Sequence, residues 1–143
     1  MAEKRMITRS LYMQMGFLNL SPSQRDLYAY LLLNADNDGV VEAFGVLKLL
    51  GASPNDLKVL AENNYVRPID AHKYVIFLPD FQKTQKLDGR GAQPSSYRRQ
   101  LLELYPDETV LPLKDRKGRL LTDEHGYTVD AQWASDGCPP RAE

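Results

Sequence analysis

The sequence has one cysteine, Cys138, which excludes an intrachain disulfide and any multi-cysteine metal site. Nowhere do about 18 apolar residues run together, and Met1 to Thr8 carries charge without the apolar run of a signal peptide. A cytosolic location with no membrane contact is therefore expected. An excess of charge is missing too: 18 Lys and Arg against 19 Asp and Glu leave a net charge of -1, far from the footprint of a dedicated electrostatic nucleic-acid binder. There are two histidines, His72 and His125, without partner ligands at metal-like spacing. No Ser/His/Asp set, His-Glu-x-x-His run or paired carboxylates in a helical frame occur, so neither an enzyme nor a cofactor is expected.

What is present suits one folded domain with an appendage, since lone domains cluster at about 100 to 150 residues. The charge is uneven along the chain. Up to Tyr105 there are 13 basic and 11 acidic residues, whereas from Pro106 onward there are 5 and 8, so a mildly basic body precedes an acidic tail. Residues 1–105 are expected to form the domain proper, and 106–143 a tail that either folds into a small β-meander or stays loosely attached.

Local signals give an order of elements. Ser21-Pro22-Ser23-Gln24 has a capping hydroxyl, Pro at the first helical position and Gln at the third, and predicts a core helix that ends in Asn34-Ala-Asp-Asn-Asp-Gly39. Val40-Val41 reads as a short strand. Phe44 to Leu50 reads as a short helix closed by Gly51, and Ser53-Pro54-Asn55-Asp56 starts a third helix broken by Asn63-Asn64. Tyr65 to Ile69 and Tyr74 to Leu78 are β-branched and aromatic around Asp70 to Lys73, a hairpin in which Pro68 belongs on an edge. A polar glycine-bearing loop from Lys83 to Pro94 precedes a further helix capped by Ser95 or Ser96, on which Tyr97, Leu101 and Leu104 or Tyr105 share a face. The apolar N-terminal residues Met6, Ile7, Tyr12, Met13, Met15, Phe17 and Leu18 are expected to cover the core as a short leading helix, with a protein interface as the competing use. The expected fold class is α+β: a winged helix, that is a helix-turn-helix with a β-hairpin wing, plus an extra C-terminal helix and a short tail.

With these elements in place, Met6 to about Tyr105 resembles the N-terminal winged-helix domain of phage replisome-organiser (replication initiation) proteins of Gram-positive bacteria. The resemblance is carried by Asn34-Ala-Asp-Asn-Asp-Gly-Val-Val after the core helix, by Leu49-Leu-Gly-Ala-Ser-Pro-Asn-Asp-Leu-Lys between the second and third helices, and by Asn64-Tyr-Val with Tyr74-Val-Ile in the wing. Phe81 stands where the family has a Trp, and the family's basic stretch is diluted here to Lys83, Lys86 and Arg90. The resemblance implies a module in the bacterial host cytosol that recognises double-stranded origin DNA or oligomerises at it, as a homodimer for instance, and recruits a helicase or helicase loader.

Candidate contact residues follow from general chemistry. The third helix of a helix-turn-helix enters the major groove, where Asn55 matches adenine and Lys58 matches guanine or a phosphate, while Asp56 and Glu62 on the same helix would repel the backbone. Lys73 in the wing, Lys83, Lys86 and Arg90 in the loop, and Arg98 and Arg99 at the last helix make a phosphate-contacting set. Asn34, Asp36, Asp38 and Gly39 imitate the opening of a calcium loop, but the closing position holds Gly45 in place of Glu, so a turn is expected there and not a metal site. Gly89-Arg-Gly91 lacks the third glycine and the Lys-Ser/Thr of a phosphate loop. The expected function is a non-catalytic DNA-binding or assembly module in phage or plasmid replication. Two alternatives stay open: a protein-binding winged helix, such as an anti-defence (anti-CRISPR-like) factor docking on a host nucleoprotein, and a transcription regulator.

Overall fold

Helix starts, a C-cap glycine and period-two strands dictate the architecture. The computed structural model describes residues 5–85, 94–123 and 127–128. Its elements run α1 (Arg9–Tyr12), α2 (Met15–Leu18), α3 (Pro22–Asn34), β1 (Val40–Glu42), α4 (Ala43–Leu50), α5 (Pro54–Glu62), β2 (Arg67–Asp70), β3 (Val75–Phe77), α6 (Phe81–Thr84) and α7 (Arg98–Leu104).

The capping box of α3 is complete. The Gln24 N–H donates to the Ser21 hydroxyl (3.2 Å) and the Ser21 N–H donates to the Gln24 side chain (3.0 Å). Two adjoining faces of α3 are buried through Leu27, Tyr28, Leu31 and Leu32, while Tyr30 points outward. Gly51 closes α4 in the left-handed region at φ 62°, and the Ser53–Asp56 capping box opens α5.

The sheet is three-stranded and antiparallel, in the order β1-β3-β2. As an edge strand, β2 tolerates Pro68, and a bulge between Pro68 and Asp70 adjusts its register. Because side chains alternate along a strand, the sheet is coated on both sides. Val41, Ile76 and Leu78 join α3, α4 and α5 in the main core, whereas Val40, Val75 and Phe77 meet Leu101 of α7 and Val110. The result is a mixed α+β arrangement, helices on one face of an open sheet and α7 on the other, compatible with a winged helix. No helix among the described residues is long and apolar enough to cross a membrane.

Three expectations need adjusting. The N-terminal segment forms two one-turn helices, and only part of it is core: Leu11, Phe17 and Leu20 are buried, while Met13 and Met15 face outward. Phe17 anchors an edge-to-face aromatic cluster with Tyr28 and Tyr65, and burial raises the Tyr12 phenol beside it to about 12. Lys83 and Thr84, read as the start of a loop, lie on α6. On α7, Tyr97, Leu101 and Tyr105 pack against the sheet together as the pattern has them, and Leu104 is exposed. The buried face also takes in Arg98 and Leu102, and the helix starts from Tyr97 with no side-chain cap from Ser95 or Ser96. Beyond α7, Val110, Leu111 and Leu113 are buried, and isolated bridges join Lys114 to Leu120 and Thr122 to Thr128, so this stretch is docked. The proposed tail beyond Thr128 lies outside the described residues.

Candidate nucleic-acid interface

Helix α5 is amphipathic over nine residues. Leu57 and Leu60 are buried in the main core, which turns Asn55, Lys58, Glu62 and Asn63 outward. Asp56, expected to oppose a DNA backbone, is withdrawn: its carboxylate accepts from the Ser23 hydroxyl (2.9 Å), the Gln24 amide (3.4 Å) and the Ser53 N–H (3.4 Å). It therefore ties the start of α5 to the start of α3. Glu62 lies 3.9 Å from the Lys58 ammonium one turn away, both well exposed.

The β2–β3 turn is shaped by Asp70, whose carboxylate accepts from the N–H groups of His72 (3.1 Å) and Lys73 (3.2 Å). His72 and Lys73 are thereby left exposed at the tip. Tyr74 follows in the left-handed region at φ 55°, where a bulky side chain costs of order 1–3 kcal/mol. The Tyr74 carbonyl accepts from the Ala43 N–H (2.8 Å), which fastens the hairpin to the start of α4. The Tyr74 ring consequently lies 6.2 Å from the ring of Phe44, tilted by 32°, and the Lys48 ammonium sits 5.5 Å from the Phe44 centroid. Phe44 is 54% exposed and Leu49 70%.

Two shallow grooves flank Tyr74. One, of about 260 Å³, runs between α5 and the hairpin and is lined by Pro54, Leu57, Lys58, Ala61, Val66 and Tyr74 among others. The second, of about 370 Å³, is lined by Phe44, Lys48, Gly51, Pro54 and Tyr74 among others. Lys58 thus borders the hairpin turn across the first groove, with exposed Asn55 about one turn earlier on α5 and Lys73 in the turn itself. Sequence reasoning missed Lys48 and the exposure of Phe44, because Phe44 to Leu50 reads as a short apolar helix with no face singled out as outward. Their i, i+4 spacing was the available signal.

The remaining candidates do not gather there. Arg98 is not a phosphate contact: it is fully buried, and its guanidinium donates to both Asp38 carboxylate oxygens (Nη2–Oδ1 2.7 Å, Nε–Oδ2 3.0 Å) and to the Leu111 carbonyl (2.6 Å). The Ser95 N–H adds a third bond to the Asp38 carboxylate (2.7 Å). The reason is its helical position, three and four residues before the buried Leu101 and Leu102. Arg99 is exposed and 4.0 Å from Glu103, on the helix that covers the opposite side of the sheet from α5. Lys83 is carried by α6, and Lys86 and Arg90 lie outside the described residues.

The acidic turn after α3 is likewise spent internally. Asp36 accepts from the N–H groups of Asp38 (2.9 Å) and Val40 (3.0 Å), and desolvation by burial raises its pKa. Neither family models, curated proteins nor solved structures give a match to this chain.

Proposed function

We propose that this chain is a winged-helix module that binds double-stranded DNA without catalysis and organises partners in phage or plasmid replication. The observation that carries the reading is the groove in which Lys58 of α5 meets the hairpin turn that exposes His72 and Lys73, with Asn55 outward on the same helix and Asp56 turned into the α3 cap. Asn55 suits an adenine edge and the lysines suit phosphates. The order α3, β1, α4, α5, β2, β3 with sheet order β1-β3-β2 supports the winged-helix assignment. The likeness of the Asn34 to Val41, Leu49 to Lys58 and Tyr74 to Ile76 segments to phage replisome organisers supports the replication setting.

The test is fluorescence anisotropy of the full chain against labelled mixed-sequence duplex, titrated with salt, beside a variant with Lys48, Lys58 and Lys73 replaced by Ala. Each lost phosphate contact flattens the log–log salt slope by about 0.9, so the triple variant is expected to lose between 2 and 3 units, approximately, and most of its affinity. Absence of duplex binding at low salt overturns the reading. It would favour a protein-binding role, for which the outward Phe44 and Leu49 are the specific observation.

A further inference from the structure

We propose that Phe44 and Tyr74 form a stacking platform for unpaired nucleotides, so that the protein engages single-stranded DNA or a single-strand/duplex junction. The inference rests on the DNA-binding reading above and names the nucleic-acid form that this part of the surface takes.

Two aromatic rings lie side by side at the surface, 6.2 Å apart, and one is more than half exposed. The pair is not incidental to a turn. Tyr74 holds a left-handed backbone that glycine or asparagine would adopt with less strain, and its carbonyl is fixed by the first N–H of α4, so the ring is held against Phe44 at the cost of strain. Cations surround the pair: Lys48 lies over Phe44, Lys58 lines the groove on the other side of Tyr74, and Lys73 precedes it in the hairpin. The nearby carboxylates are engaged, Asp70 by the backbone of the turn, Glu62 by Lys58 and Glu42 by the Tyr97 hydroxyl (3.2 Å).

Exposed π-faces flanked by lysines are what an unstacked base and its phosphates require. Stacking is indifferent to sequence because every base has a π-face, and the lysines follow the backbone. Duplex DNA offers its bases only by edge, so it can use the lysines and Asn55 but not the rings. When a phosphate draws the Lys48 ammonium away from Phe44, that ring face opens to a base.

Anisotropy of the full chain with three labelled probes tests this: a short oligothymidylate, a blunt duplex, and the same duplex with a single-stranded thymidine overhang. The wild type is expected to bind the overhang duplex more tightly than the blunt one. Phe44→Ala is expected to weaken oligothymidylate binding about tenfold and erase the overhang preference, with blunt-duplex affinity unchanged. Phe44→Trp is expected to keep the preference, and its added fluorescence to be quenched by oligothymidylate. K58A/K73A is expected to weaken all three probes. Overhang and blunt duplexes bound alike, with Phe44→Ala inert, would overturn the platform and leave the duplex reading standing. Oligothymidylate bound through Phe44 without any blunt-duplex affinity would remove the duplex reading alone, and binding of no probe would remove both.

Discussion

Arg98 and Asp38, sixty positions apart, meet inside the protein as a fully buried bidentate pair with a shortest contact of 2.7 Å. The pair joins the turn after α3 to the start of α7 and, through the Leu111 carbonyl, to the segment that follows α7. Breaking such a pair leaves one charge buried without compensation, which costs about 3–5 kcal/mol. Arg98→Ala and Asp38→Ala are each expected to lower the urea midpoint by that equivalent, and Arg98→Lys to follow them because an ammonium cannot bridge both oxygens. An Arg98→Ala variant as stable as wild type would show the pair to be dispensable.

Gly39 is under a second constraint in the same turn. At φ 83° it occupies a region that side chains rarely adopt, and an added Cβ would lie 2.7 Å from the Phe81 Cβ. Gly51, at φ 62°, has open space around the equivalent position. Gly39→Ala is therefore expected to destabilise well beyond the ~1–2 kcal/mol of left-handed backbone strain, and Gly51→Ala to cost only about that amount. Equal losses in chemical denaturation would remove Phe81 from the explanation.

Asp36 gives the turn a pH dependence. Burial raises its folded-state pKa above the ordinary 3.8, so the folded state holds the proton more tightly than the unfolded chain. Its favourable contribution is complete below pH 3.8 and is lost as pH rises through the folded-state value. Asp36→Asn keeps an oxygen for the Asp38 and Val40 N–H groups but cannot ionise. It is expected to flatten that limb of the stability profile and to gain on the wild type toward neutral pH. A variant with an unchanged pH slope would show that Asp36 is not the group responsible.

Wherever a local signal sufficed, the sequence was legible. Both Ser-Pro capping boxes, the Gly51 closure and the edge position of Pro68 are decided within a few residues, and the structure has them where the pattern placed them. The candidate site was harder, because exposure depends on which side of a helix meets a distant partner. Arg98 and Arg99 are adjacent and chemically alike, yet only the first falls on the same face as Leu101 and Leu102. Its partner Asp38 belonged to a turn whose carboxylates were read as helix-ending polar residues. Asp56 was misread for a related reason, since the donors to its carboxylate, Ser23 and Gln24, come from another helix.

That division of the arginines sets apart two exposed cations in a single experiment. Lys58 projects from α5 beside the groove it shares with the hairpin, whereas Arg99 lies on α7, beyond the sheet, beside Glu103. A duplex docked along α5 and the hairpin meets the first and not the second. Lys58→Ala is expected to lower duplex affinity at all sequences and reduce the salt slope by about 1, while Arg99→Ala leaves both unchanged. Salt-dependent binding measured in parallel on the two variants checks this. If Arg99→Ala flattened the slope and Lys58→Ala did not, DNA would have to run over α7, and α5 would be a solvated structural helix.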